Sequence, residues 1–159
     1  MFFKATEWVM SKLKFVGASC LMAMTLLTCV DVVGRFFRHP VFGSVELVTF
    51  MAAIAVASAL PFTHKEQGHI GVEILVRLLP PKKQCVMDIS TGVLSLVLFV
   101  IVTWRMAVYA GTIRESGQVS LNLQLPEYAF IYFIAFCCLV FTLIILQEIL
   151  INLKKLRDL

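Results

Sequence analysis

YAFIYFIAFCCLVFTLIILQEILI, residues 128–151, carries no Asp, Glu, Lys or Arg until Glu148. A helix needs about 20 predominantly apolar residues to cross the hydrocarbon core of a bilayer. This run is long enough, and it lacks the charged face that an ordinary surface helix turns to water. Three further apolar runs precede it, at about 15–37, 45–62 and 86–109. Over the whole 159-residue chain 60% of residues are hydrophobic and only 15% are charged, where a soluble domain has about 25% charged. Mean hydropathy is +0.91. The sequence therefore predicts an all-α integral membrane protein: a single membrane domain over 1–159 with four transmembrane helices. Connections are short, so neighbouring spans are expected to be antiparallel. The first apolar run exceeds the roughly 7–15 residues of a cleavable signal and has no small-x-small cleavage site after it, so it reads as a retained signal-anchor.

Lysine and arginine in the flanks set the orientation, because cytoplasmic loops are enriched in both. Lys4, Lys12 and Lys14 precede span one; Lys65, Arg77, Lys82 and Lys83 lie between spans two and three; Lys154, Lys155 and Arg157 follow span four. The other side holds Arg38 and Arg114, with Arg35 and Arg105 at span ends. Both termini are thus expected in the cytoplasm. Trp104, Tyr109, Tyr128 and Tyr132 then cluster near the outer interface as an aromatic belt.

Two segments read as interfacial. Over residues 2–14, Lys4, Glu7, Ser11 and Lys14 form one helical stripe with Phe3, Trp8 and Leu13 off it. This suits an amphipathic helix in the inner headgroup layer, with Trp8 as an anchor. Over 68–79, His69, Glu73 and Arg77 recur every four residues, while Ile70, Ile74, Leu75, Leu78 and Leu79 cover the remaining surface. Gly68 precedes this helix and Pro80-Pro81 ends it. Glu73 and Arg77 stand in the favourable order for an i,i+4 pair.

An ionisable group inside a span costs roughly 2.5–3.5 kcal/mol on insertion scales, so each one needs a partner or a route to water. Asp31 and Arg35 lie four apart near the outer end of span one. Glu46 opens span two, where an acid meets the positive end of the helix dipole. Arg35 can pair with Asp31 on its own helix or with Glu46 across helices. Arg105, beside Trp104, is expected to snorkel. Glu148 is expected near Lys154, Lys155 or lipid headgroups. Span two carries MAAIAVASA, residues 51–59, in which Ala52, Ala55 and Ala59 permit close backbone approach, either within this chain or to another membrane protein.

Several function classes are disfavoured. His69 and Glu73 are i,i+4 and could face one ion, but His64 and Glu66 would have to fold back to join them and no HExxH motif is present, so a metal site is disfavoured. The five cysteines are odd in number and form no CxxC, which reads as apolar packing rather than a disulfide framework or a zinc site. No nucleophile elbow, phosphate loop or dinucleotide fingerprint occurs, so the chain does not read as an enzyme. His39, His64 and His69 all lie at or beyond span ends, which argues against a haem-bearing anchor of a redox enzyme. A self-sufficient small multidrug-type exporter would want a membrane-buried acid in span one; Asp31 is the candidate, but it sits late in the span beside Arg35. No basic face interleaved with aromatics suggests nucleic acid.

GRFFRHPVFGSVEL (34–47), KEQGHIGVEILVRLLP (65–80) and SGQVSLNLQLPEYAFIYFIAF (116–136) together resemble the small membrane subunit of tripartite ATP-independent periplasmic (TRAP) transporters, the DctQ-like family. The pattern Glu66–Gly68–His69–Ile70–Val72–Glu73, followed by Leu79–Pro80, is its most specific part. Arg35–Phe36, Pro40 and Glu46 match upstream. Many members carry a tryptophan and two acids at the start of span two, whereas this chain has Gly43 and Glu46 alone. The resemblance implies a non-catalytic stator in the bacterial inner membrane. It also implies a large multi-span permease subunit, which alone would hold the substrate and sodium sites, and a periplasmic binding protein that captures an organic acid. No cofactor is expected in this chain. On this reading Asp31, Arg35, Glu46, Ala52, Ala55, Ala59, Glu66, His69, Glu73 and Arg77 are structural or subunit-interface residues. The outer segments 38–43 and 111–127 face the binding protein, with Arg38, His39, Arg114 and Glu115 as docking residues.

Overall fold

The computed structural model describes residues 2–65 and 81–157. The segment predicted to hold the helix at 68–79, with Glu66, His69, Glu73 and Arg77, lies outside the described residues.

Four helices form the described chain: α1 (Phe2–Phe36), α2 (Ser44–Lys65), α3 (Pro81–Ser116) and α4 (Glu127–Arg157). All four are long and apolar enough to cross a membrane. The predicted spans sit inside them, apart from Phe37, which falls just past α1, and the helices run further, α3 reaching Ser116 and α4 reaching Arg157. The N-terminal segment differs from expectation. Instead of a separate helix lying in the headgroup plane, residues 2–14 are the first turns of one unbroken 35-residue helix. No proline or glycine interrupts the chain before Gly17, and Met10 and Leu13 are buried against the bundle. At 1.5 Å per residue α1 is about 52 Å long, more than the roughly 30 Å of hydrocarbon it has to cross.

Local chemistry sets the helix ends. After Phe36 the chain folds back, and His39 N donates to the Gly34 carbonyl over 2.8 Å. A Cβ on Gly34 would lie 2.4 Å from that residue's oxygen, so the return requires glycine. Arg38 takes a left-handed φ of 62° in this turn, and Pro40 prevents the helix from resuming. Gly43, at φ 72°, precedes α2, and Glu46 occupies its first turn. Pro81 opens α3, where its missing N–H is harmless. Gly117, at φ 65°, follows α3 in the usual left-handed stop.

α3 packs along α4, α1 along α2, and α4 joins the two hairpins through α2; α1 and α4 touch less. The core is built on α4. Cys137 and Val140 pack with Leu13 of α1 and Ala57 of α2. One turn on, Phe141, Ile145 and Ile149 pack with Leu96 and Phe99 of α3. Phe50 of α2 stacks on Phe130 of α4 with ring centroids 4.2 Å apart. The small face of α2 serves contact within the chain: Ala55 is buried, and a Cβ on Gly17 of α1 would meet the Ser58 Cβ at 3.3 Å and the Ala55 carbonyl oxygen at 3.4 Å. Ala52 is half-buried, whereas Ala59 faces outward. Leucine, valine and phenylalanine side chains remain exposed along α1 and α3. Such surfaces suit lipid or a membrane partner and would be untenable in water.

Candidate functional site

Polar bonds between helices gather at the two ends of the bundle, because a backbone or side-chain donor is hardest to satisfy in the apolar middle. At the end away from the termini, Asp31 is almost fully buried. Its Oδ2 accepts from Arg35 Nε over 2.8 Å, and its Oδ1 accepts from Val41 N over 3.0 Å. One carboxylate thus fixes both an arginine on its own helix and the turn that follows. The Arg35 side chain stays 57% exposed against 11% for Asp31, so the guanidinium turns its outer edge away from the bundle.

Glu46 does not pair with Arg35. Its Oε1 accepts from Asn122 N (2.9 Å) and Asn122 Nδ2 (2.8 Å). Its Oε2 accepts from Leu123 N (3.2 Å) and from the Ser120 hydroxyl. The connection 117–126 wraps this carboxylate and closes on itself through Ser120 N to the Leu125 carbonyl and a bridge between Val119 and Pro126. Arg35 is already engaged one turn from Asp31, while several donors of the loop converge on Glu46, so the cross-helix pair loses on both sides. Gly43 lies beneath the loop; a Cβ there would come within 2.5 Å of Leu123 Cγ. Ser120 and Asn122 were not singled out from sequence. The signal available was a hydroxyl and an amide two residues apart in a short loop at the depth of Glu46.

At the end that carries both termini, His64 Nε2 and Glu148 Oε2 are 2.7 Å apart, joining α2 to α4. Glu148 therefore binds a histidine across the bundle, a partner not expected from sequence. The His64 ring also meets Phe141 edge-on, and Phe141 meets Phe99 in the same way, which continues the contact to α3. Lys65 Nζ donates to Glu7 Oε1 over 2.8 Å, and Thr6 Oγ1 to Gln147 Oε1 over 3.1 Å. Lys14 lies 4.0 Å over the Phe62 ring. These bonds hold the first turns of α1 against α2 and α4. The depth argument that suggested Arg35–Glu46 fits His64–Glu148 at the opposite end.

The remaining predicted positions are surface features. Trp8, Trp104, Arg105, Tyr109 and Tyr132 are exposed and Tyr128 is half-buried. Arg38, His39, Arg114 and Glu115 are all exposed at the end away from the termini. Cys137 and Cys138 are buried packing residues, while Cys29 faces outward.

A family model described as "Tripartite ATP-independent periplasmic transporters, DctQ component" matches residues 24–155. The chain belongs to the DctQ family. It is the small component of a TRAP transporter, a family of transport components rather than of enzymes. No curated protein matches the chain at a significant level. The match covers most of this DctQ component, including Asp31, Glu46, Ser120, Asn122, His64 and Glu148. Thr6 and Glu7 fall outside it, so part of the clasp at the terminal end is built from residues beyond the matched range.

Proposed function

We propose that this DctQ component is the fixed scaffold of a sodium-coupled, binding-protein-dependent importer of an organic acid, a carboxylate or a sulfonate. It pairs with a large multi-span permease subunit, which holds the substrate and sodium sites; this chain binds no cofactor. Both termini face the cytoplasm, and the end bearing Arg38, His39, Arg114 and Glu115 helps to dock the periplasmic binding protein.

One observation supports a scaffold over a carrier. No Asp, Glu, Lys or Arg stands between Lys14 and Asp31, Glu46 and Lys65, Asp88 and Arg105, or Glu127 and Glu148. The middle of each of these runs is uncharged, where a route for ions or acids would need polar groups. Purification from the native membrane tests the reading. A larger permease should arrive in stoichiometric amount, and vesicles holding this chain alone should not take up substrate. A chain that arrives alone and transports by itself would overturn it.

A further inference from the structure

The four uncharged runs are not in step along the bundle. α3 and α4 lie antiparallel, and close contacts fix their register: a Cβ on Gly92 would lie 2.9 Å from Ile149 Cγ1, and one on Gly111 would lie 3.9 Å from the Tyr132 hydroxyl oxygen. Between these, Phe99 meets Phe141 with ring centroids 4.4 Å apart. Arg105, halfway from Phe99 to Gly111, therefore stands level with Phe136 and Cys137, and Cys137 packs with Ala57 of α2. Charged residues mark both ends of this register, Glu46, Arg114 and Glu127 at one and Lys65 and Glu148 at the other. At 1.5 Å per residue, Glu46 to Lys65 measures about 28 Å, close to the roughly 30 Å of a hydrocarbon core. Ala57 lies about 16 Å from Glu46 and about 12 Å from Lys65. Arg105 thus stands close to mid-depth, about 14 Å along α3 from Arg114. It ends an uncharged run in the sequence, but the bundle sets it opposite the middle of the runs in α2 and α4.

We propose that Arg105 pairs with a carboxylate on a membrane-spanning helix of the large permease subunit, and that this helix packs on the face of α3 around it. The proposal rests on the scaffold reading above. Arg105 is exposed, and at helical spacing on the same face Leu94, Leu98, Ile101 and Val108 are exposed too. Among the described residues it has no hydrogen-bond or ion-pair partner. The connection 66–80 joins α2 and α3 at the terminal end, Pro81 lying about 36 Å along α3 from Arg105. A guanidinium has five N–H donors, and an ionised side chain inside a membrane is sustained by a partner or by water. Arg105 faces away from its own bundle, so the partner comes from outside it. The planar fork of the guanidinium fits a carboxylate through two parallel bonds. A second copy of this chain suits the place poorly. Asp31, Glu46, Glu127 and Glu148 all belong to the end layers, and two copies would set arginine against arginine. The charged layer at Arg114 is farther off than an extended arginine reaches. One charge on an outward face opens no route through this chain, so the scaffold reading is unaffected.

The test purifies the full chain from its native membrane by a tag on this subunit and measures large subunit recovered per copy. Arg105→Leu should lower that recovery about tenfold, the loss expected for one charge-assisted bond. Arg105→Lys should keep most of it, and Arg105→Glu should lower it further than leucine does, because like charges then meet. Arg105 is exposed, so these changes break no contact inside the bundle, and the amount of small subunit in the membrane checks that. Each Asp and Glu in the spans of the large subunit is then changed to lysine. One of these changes should restore association to Arg105→Glu and not to Arg105→Leu. Wild-type chain that brings down no large subunit would overturn the scaffold reading and this pairing together. Recovery with the wild type and equally with Arg105→Leu would overturn the pairing alone, leaving the arginine to snorkel toward headgroups. So would the lack of any acid whose reversal rescues Arg105→Glu.

Discussion

Replacing Glu46 by alanine and by glutamine separates the charge of this carboxylate from its geometry. Alanine deletes the acceptor of four hydrogen bonds: Asn122 N, Asn122 Nδ2, Leu123 N and the Ser120 hydroxyl. A bond to a charged group is worth about 1.5–3 kcal/mol, and less where the donor can turn to water. Asn122 is exposed and its donors can turn to water, whereas the buried Ser120 hydroxyl and the half-buried Leu123 N–H have less recourse. The net effect on local opening of 117–126 is about 2 kcal/mol, or roughly 30-fold faster amide exchange at residues 122 and 123. Glutamine behaves differently. Its carbonyl oxygen in place of Oε1 keeps both Asn122 bonds, and its amide in place of Oε2 donates to Ser120. Only the Leu123 bond is lost, about 1 kcal/mol and about fivefold in exchange. Hydrogen exchange by mass spectrometry on the protein in lipid nanodiscs reads both, with the interior of α4 as the reference. Equal acceleration in the two variants, or unchanged exchange in the alanine variant, would refute the idea that this carboxylate organises the loop.

Substitutions at three further positions probe the remaining contacts through a thiol-dye melt, in which buried Cys137 and Cys138 become reactive on unfolding. Gly43→Ala combines a left-handed φ of 72° with a Cβ 2.5 Å from Leu123 Cγ, and should lower stability by about 1–3 kcal/mol while loosening the same loop. Asp31→Asn keeps an acceptor for Val41 N, loses the partly exposed Arg35 pair and leaves the Ser44 hydroxyl an amide to bond instead of a carboxylate, so it should change stability by about 1 kcal/mol; Asp31→Leu also strands the Val41 and Ser44 donors and should melt earlier than Asp31→Asn. Gly17→Val pushes α1 away from Ser58 and Ala55 and should weaken the first hairpin by about 1–3 kcal/mol, with Gly17→Ala intermediate.

Much of the architecture could be read from hydropathy alone, because lipid imposes one answer on a run such as 128–151: every backbone group must be bonded within the helix. Pairing was less legible. Asp31–Arg35 is local to one helix turn, and spacing suffices to expect it. The Glu46 and Glu148 contacts depend on which helices become neighbours and how the connection 117–126 folds. Sequence depth narrows that choice but does not make it. Glu46 carried a plausible arginine partner at the right depth and took loop donors instead, since Ser120, Asn122 and Leu123 reach it from three positions of one short connection. The N-terminal stripe was also ambiguous. Amphipathicity from Lys4 to Lys14 is the same whether the helix lies flat or continues into the span, and the buried contacts of Met10 and Leu13 decide for continuation.

The distribution of these contacts bears on how a four-helix bundle of this size holds its shape. Apolar side chains gain nothing by leaving lipid for one another, so helix association in a bilayer rests on close packing and on polar bonds. Here α1 meets α2 through Gly17, Ser58 and Ala55, and α4 meets its neighbours through the buried Cys137, Val140 and Ile145. The polar bonds lie beyond both ends of this packing: Asp31 and Glu46 tie the two connections at one end, while His64–Glu148 and Lys65–Glu7 tie three helices at the other. Pinning long helices at their ends resists splaying with few bonds, and it leaves the outward faces of α1 and α3 free of structural duty. Those faces can then follow the demands of lipid or a neighbouring subunit without unfolding the bundle. Substitutions there should alter assembly more readily than fold, whereas changes in the end clasps should do the reverse.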